Sequence, residues 1–232
     1  MTRSVWQWNE HQQLGTDYAS VEGVRAYDSR MATLRDVPAE SARILTKLRL
    51  AGGETLLEVG TGTGAFARAA AGFCRRVIAV DISPTMLEYA RQRAEAETLA
   101  NIAFRKGGFL TYVHQGPPVD AVVSEFTLHH LPDLWKLVGL RRMAALLRPG
   151  GSLYLADVVF GDEVERDPDA YFGHLIEGMP HSSRAEMARH IRQEFSTFHW
   201  VMGELLLRAG FVVEESSQDG FLAQYLCRRT QG

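Results

Sequence analysis

Leu56-Leu57-Glu58-Val59-Gly60-Thr61-Gly62-Thr63-Gly64-Ala65-Phe66 decides how this chain is read. An apolar run that closes on alternating glycines and then on helix-forming residues is a strand turning directly into a helix. Without a Cβ at those glycines the backbone can pass very close to a ligand. Gly60-x-Gly62-x-x-Ala65 also satisfies a relaxed dinucleotide fingerprint, and Asp81 lies near the offset of a ribose-binding acid, so the loop alone leaves NAD and other adenosine ligands open. The lysine and hydroxyl of an ATP-binding P-loop are missing. Glu58, two residues before the first glycine, stands at the carboxyl end of the strand, where open α/β sheets bind ligands. A carboxylate there suits a cationic ligand and suits a pyrophosphate badly.

Outward from this loop, residues 54–157 alternate short apolar runs with helical patterns, as in βαβ units of a parallel sheet. Strands are expected at Thr55–Val59, Val77–Val80, Ile102–Arg105, Val119–Ser124 and Ser152–Ala156. Ser83 caps and Pro84 opens a helix that buries Met86, Ala90 and Ala94. A second helix repeats Leu137, Leu140, Ala144 and Leu147 and stops at Arg148-Pro149-Gly150-Gly151. The alternation then breaks, and roughly residues 160–200 read as an inserted helical cap, with Ser183 and Glu186 forming a capping box ahead of Met187, Ile191 and Phe195. Trp200–Ala209 reads as a helix ended by Gly210, and Phe211–Glu215 with Leu222–Cys227 as an antiparallel hairpin through Gln218-Asp219-Gly220. The organisation expected is a helical lid over 1–50, an α/β core over 51–159, the cap over 160–200, and a last helix and hairpin over 201–232.

Composition bounds the chemistry. The 232 residues carry 25 Lys+Arg against 28 Asp+Glu, a net charge of −3, with 46% hydrophobic residues. The arginines are scattered, so no basic arm for long nucleic acid is expected. Cys74 and Cys227 fit no zinc or redox spacing, which points to a reducing cytoplasm. The start has no apolar signal core and no stretch approaches the ~20 residues of a membrane span.

Glu58-Val59-Gly60-Thr61-Gly62-Thr63-Gly64 resembles the first motif of class I S-adenosylmethionine (SAM)-dependent methyltransferases, and Val80-Asp81-Ile82-Ser83-Pro84-Thr85-Met86-Leu87 the second. Val119–Ser124 with Leu128-His129-His130-Leu131-Pro132-Asp133, and Leu147-Arg148-Pro149-Gly150-Gly151, are similar to later landmarks of that family, in the correct order. The resemblance implies a Rossmann-like, doubly wound, mainly parallel seven-stranded sheet with a terminal antiparallel hairpin and a helical cap. It implies SAM as cofactor and methyl transfer by direct displacement, and the extra helices at the amino end and after the fifth strand, which would roof the cleft and exclude water, point to a small-molecule acceptor. Gly60, Gly62 and Gly64 would line the methionine part, Glu58 would meet its ammonium, Asp81 the ribose hydroxyls and Ile82 the adenine. Thr61, Met86 and Ser124 complete the set of candidate contacts. At Lys106-Gly107-Gly108-Phe109-Leu110 the family often carries Gly-Asp, whose acid meets the adenine amine; here Phe109 replaces the acid, leaving Gly108 backbone and the Phe109 face as the expected contacts.

Each choice has a plainer reading beside it. Asp81 could serve only the following helix dipole. Of the adjacent His129 and His130 at least one is expected to pack at the strand end, with His129 the candidate base. His174, His181, His190 and His199 read as solvated cap surface, and without a supporting carboxylate at ligand spacing no metal site is expected. Tyr18, Tyr27, Tyr171 and Asp157 are the candidate acceptor contacts, with Glu194-Phe195-Ser196-Thr197-Phe198 a further stretch on that side. The alternatives are a tRNA or nucleoside methyltransferase, a SAM-binding module without turnover, and an NAD-dependent reductase. Against base methylation, Ser124-Glu125-Phe126-Thr127 stands where exocyclic-amine enzymes carry an Asn/Asp-Pro-Pro-aromatic element, and neither cysteine follows a proline.

Overall fold

A computed structural model describes residues 5–12 and 21–230. Helices α1 (Val21–Leu34) and α2 (Val37–Leu48) lead into β1 (Thr55–Val59), α3 (Ala65–Ala71), β2 (Arg76–Asp81), α4 (Pro84–Ala96) and β3 (Ile102–Lys106). After β4 (Val119–Glu125) a single 3-10 turn, Leu128–His130, precedes α5 (Asp133–Leu146) and β5 (Leu147–Phe160). The cap is α6 (Asp162–Arg166), α7 (Pro168–Gly178) and α8 (His181–Gln193). A two-residue strand β6 (Thr197–Phe198), α9 (His199–Arg208), β7 (Phe211–Asp219) and β8 (Leu222–Arg229) complete the order.

The sheet runs β3-β2-β1-β4-β5-β8-β7, with β8 antiparallel to β5 and β7, as expected; the short β6 adds a parallel pairing at the far end of β5. Side chains alternate between two apolar layers, as the pleat requires. Leu56, Val77, Ala79, Ala121 and Val123 pack on α2 and α3, while Leu57, Val59, Ile78, Val80 and Val122 face the layer containing Leu140 of α5 and Leu206 of α9. The helix starts follow local chemistry: Asp36 accepts from Ala39 N at 3.1 Å and Ser83 Oγ accepts from Met86 N at 3.2 Å, each with a proline in the first turn.

Three expectations are corrected. The expected stop at 148–151 is a bulge inside a longer strand, because Leu147 pairs with Val119 and Ser152 with Ala121, so the intervening residues loop out of the ladder. The hairpin strands run on to Asp219 and Arg229, and Gly220 (φ +56) with Phe221 makes the turn. Helix α8 begins at His181 rather than after Ser183: extended Pro180 already offers its carbonyl to Ser183 N at 2.9 Å, which leaves Ser183 inside the helix.

Candidate active site

The alternation of β1, β2 and β4 puts Glu58, Asp81 and Glu125 on one face of the sheet at the carboxyl ends of adjacent strands. Between them runs the glycine turn. Gly60 and Thr61 donate to Val80 O at 2.8 and 3.0 Å, which folds the loop over the end of β2. Gly60 has φ +82, and a Cβ there would lie 2.1 Å from Thr127 Oγ1, so nothing larger than hydrogen fits without moving the strand-to-helix turn. Asp81 is anchored by two backbone donors, Ser83 N to Oδ1 and Gly62 N to Oδ2, both at 2.8 Å. Glu58 accepts from the Thr61 hydroxyl at 2.6 Å. Burial pushes its carboxyl up to about 8 against the Thr61 hydrogen bond, and the Glu125 and Asp81 carboxylates add to the rise. Burial likewise raises Asp81 and Glu125, opposed by backbone donors at Asp81 and by Arg35 at Glu125.

A cleft of about 640 Å³, open mouth included, lies over this turn. Its floor is Gly60, Gly62, Asp81, Ile82 and Met86, and its rim is Glu125, Phe126, Thr127 and His130. The remaining wall comes from the N-terminal segments through Glu10, Gln12 and Tyr27. Glu10 is tied down: Leu110 N donates to Oε2 at 3.0 Å and Thr111 Oγ1 to Oε1 at 2.5 Å. Gly108 makes room for it, since a Cβ there would meet Glu10 Oε2 at 2.7 Å and Ile82 Cγ2 at 2.9 Å. Phe126 sits at φ +52, a conformation that costs a non-glycine residue about 1 kcal/mol or more, and the fold holds it there. Phe126 N donates to Ala156 O at 2.8 Å, and the Arg35 guanidinium lies 3.9 Å above the ring while pairing with Glu40 and Glu125.

Beside His130 is a second cluster, on the opposite face of the sheet. His129 is held by both oxygens of Asp157, backbone N to Oδ2 at 3.0 Å and Nδ1 to Oδ1 at 2.5 Å. Its Nε2 faces Glu194 Oε2 at 3.1 Å, an oxygen that also meets His190 Nδ1. Burial favours the neutral ring of His129, but Asp157 and Glu194 win and push it up to about 9. His130 goes the other way, down to about 4, from burial first and the neighbouring His129 second. Glu194 is positioned from both sides: His190 precedes it on α8, and Phe195 N donates to His129 O at 2.8 Å. Fully buried Lys136 then pins the same segment through Phe195 O and, at 2.8 Å, Asp133.

A family model described as a methyltransferase domain matches residues 56–151. A methyltransferase of Geobacillus kaustophilus (strain HTA426), itself uncharacterized, is 30% identical over 203 residues, 88% of this chain and 87% of its own length. The chain belongs to the class I SAM-dependent methyltransferases. The 27-O-demethylrifamycin SV methyltransferase of Amycolatopsis mediterranei (strain S699) is 32% identical over 134 residues, 56% of this methyltransferase and 48% of that one. A SAM-dependent methyltransferase from Aquifex aeolicus shares the fold with a TM-score of 0.64 at 22% identity, covering 90% of this chain and 98% of its own. SAM is the cofactor, and the site fits it: a glycine turn held at positive φ at Gly60, Gly62 and Gly64 gives the backbone approach, and carboxylates suit a cation.

Of the expected cofactor contacts, Gly60, Gly62, Asp81, Ile82 and Met86 line the cleft together. Glu58 and Thr61 lie just beneath, bonded to each other. Gly64 caps α3 at φ +74, packed on Ala90. Gly108 reaches the site only through Glu10. Phe109 is in the core, its Cβ side against Gly139 of α5, because the backbone after Gly108 turns the ring away from the cleft. Ser124 is fully buried on the opposite face of β4 from Glu125 and donates to Val59 O at 2.9 Å. Of the expected acceptor-side residues, Tyr27 lines the cleft, Asp157 is 1% exposed and committed to His129, and Tyr171 packs on Phe172 away from it; Tyr18 lies outside the described residues. His130, not His129, is the histidine on the cleft wall. The sequence reading missed Glu10, Glu125 and Phe126, and named Glu194 only within the stretch 194–198, without its bond to His129. For Glu125 the signal was there, since it shares strand parity with the inward residues Ala121 and Val123; for Glu10 and the strained Phe126 no local pattern announces the role.

Proposed function

We propose that this methyltransferase acts on a small-molecule acceptor admitted between the N-terminal segments and the rim at Phe126–His130. The observation that carries the reading is the cleft wall itself. Glu10, Gln12 and Tyr27 come from outside the α/β core and wall one side of the space over the glycine turn, the kind of concave, partly enclosed site that small molecules use. Glu10, Asp81 and Glu125 all open onto it, a charge pattern that repels a phosphate backbone and weighs against a nucleic-acid acceptor. The rifamycin methyltransferase among the relatives acts on a small molecule, which agrees.

SAM supplies a sulfonium methyl group that an acceptor lone pair takes in line, leaving S-adenosylhomocysteine. The chain's part is alignment and exclusion of water. Asp81, held rigid by Gly62 and Ser83, would take the ribose hydroxyls; Glu58 would meet the ammonium; Ile82 and Met86 would lie against the adenine. Phe126 and His130 face the acceptor, and His130, neutral at physiological pH, accepts a hydrogen bond from an acceptor hydroxyl or amine. The test is S-adenosylhomocysteine release against a panel of phenols, hydroxylated macrocycles, amines and thiols, beside tRNA and oligonucleotides. Turnover on nucleic acid with none on the small molecules would overturn the reading, and binding of SAM without turnover on any acceptor would leave a binding module.

A further inference from the structure

We infer that His129, His130 and Glu194 form a binding site for a divalent first-row metal ion of the zinc or iron(II) kind on the wall of the acceptor cleft. One ligating atom from each lies within 4.8 Å of those of the other two. The His129 Nε2 to Glu194 Oε2 separation, 3.1 Å, is close to the edge of about 3.3 Å that metal–ligand bonds of about 2.0–2.1 Å span in a tetrahedron. Two imidazoles and a carboxylate, with further positions open, make a donor set that Zn²⁺ and Fe²⁺ both accept.

The support around the ligands is what such a site needs. A ligating imidazole has to point one nitrogen at the ion and give the other to a fixed acceptor, and Asp157 holds Nδ1 of His129 at 2.5 Å while also taking the residue's backbone N–H. Asp157 is 1% exposed and rigid on β5, so Nε2 is aimed with little freedom. The carboxylate ligand is equally fixed, by the Phe195 N–H to His129 O bond and by Lys136 on Phe195 O. An ion would replace the proton between His129 Nε2 and Glu194 Oε2, while His190 Nδ1 holds the same Glu194 oxygen in place. Because His130 lines the cleft, an ion held there would lie at the cleft's edge, where a Lewis acid could hold an acceptor oxygen in its deprotonated form. This goes beyond the acceptor reading above and is tested without methyl transfer.

The full chain, stripped with a chelator, is dialysed against Zn²⁺ and, anaerobically, Fe²⁺; metal is counted by plasma mass spectrometry and affinity measured by competition with a chromogenic chelator. One ion per chain is expected, bound at least tenfold more weakly by Glu194→Gln and by His130→Gln, and also by Asp157→Asn, with His174→Gln as an unchanged surface control. SAM calorimetry on each variant reports folding. Should a variant fail to fold, Co²⁺ added to the wild-type chain gives the answer through the visible d–d absorption of an imidazole-ligated ion. No stoichiometric metal, no such absorption, or equal affinity in the Glu194→Gln, His130→Gln and His174→Gln variants overturns the site.

Discussion

Glu58 should lose a proton when SAM binds, and the amount can be worked from its surroundings. With the free carboxyl pushed up to about 8, roughly 0.9 of it is protonated at pH 7. A ligand cation about 4 Å away at an effective dielectric of 20 contributes about 4 kcal/mol, or about 3 pKa units, enough to bring the bound-state value near 5 and ionise the group. Binding at pH 7 then releases roughly 0.9 proton, and ionising Glu58 first weakens the apparent affinity by about 1.4 kcal/mol, a factor of about ten. The assay is titration calorimetry at pH 7 in two buffers of different ionisation enthalpy, whose difference in heat counts the protons. The Glu58→Gln variant removes this proton from the count while the ligand's own ionisation stays, so the ratio of wild-type to variant dissociation constants isolates Glu58. That ratio should move about tenfold per pH unit between about pH 5 and pH 8 and level off on either side. A heat independent of buffer in the wild type, or the same proton count in Glu58→Gln, would show that Glu58 does not meet the cofactor's charge.

The same raised value has a stability consequence in the free protein. Folded Glu58 keeps its proton up to about pH 8 while the unfolded chain loses it near 4.5, so this group's contribution is full below pH 4.5 and is lost as pH rises through 8; Glu58→Gln should be the more stable protein at pH 8 by denaturant unfolding, with the gap closing at pH 4.5. Asp81→Ala should weaken SAM by ~2–3 kcal/mol, the scale of charge-assisted bonds to hydroxyls, and an unchanged dissociation constant would reduce Asp81 to an anchor for Gly62 and Ser83. His129→Ala leaves Asp157 buried without its partner and should cost about 3–5 kcal/mol of stability, whereas His130→Ala should cost under about 1 kcal/mol yet lower turnover more than tenfold. Equal losses of stability in the two variants would contradict the division between a structural and a cleft-facing histidine. Tyr27→Ala should raise the acceptor KM with SAM affinity shifted by less than about 1 kcal/mol, while Tyr171→Ala should change neither, as calorimetry and initial rates would show.

What the sequence made legible follows from how far apart the interacting residues lie along the chain. The glycine turn, the Ser83-Pro84 helix start and the strand pattern are local: spacing within a few residues fixes them, and the parallel sheet follows because β1, β2 and β3 are joined by helices. Asp81 was readable for the same reason, standing at the end of the strand next to the glycine turn. The errors at Phe109 and Ser124 concern which way a correctly located residue faces. In Ser124 that direction was available, since two-residue periodicity from buried Val122 puts it on the α5 side and gives the cleft to Glu125 instead. At Phe109 it was not, because β3 ends at Lys106 and the residue follows two glycines, Gly107 at φ +149 among them, in a turn where strand periodicity no longer applies.

The cap and the N-terminal helices were read as elements, but what their residues touch was illegible for a different reason: those contacts run across long stretches of chain. Glu10 matters because it meets Leu110 and Thr111, and Glu194 because it meets His129. Taken within α8, His190 looks like a solvated helix residue, and its carboxylate four positions on lies just beyond the helix end. Only the return of the chain against β5 and α5 gives that pair a third and a fourth partner. On the proposed reading the acceptor side is thus assembled from segments of about ten residues that carry little pattern of their own, while the cofactor side is written into one strand, one turn and the strand beside it. Substitutions that redirect the acceptor should therefore fall in residues 5–12, 21–35 and 194–198, and those that abolish SAM binding in residues 58–64 and 81–86. A saturation library scored separately for SAM affinity and for turnover would show two separate maps, and a single merged map would mean that acceptor and cofactor share their determinants.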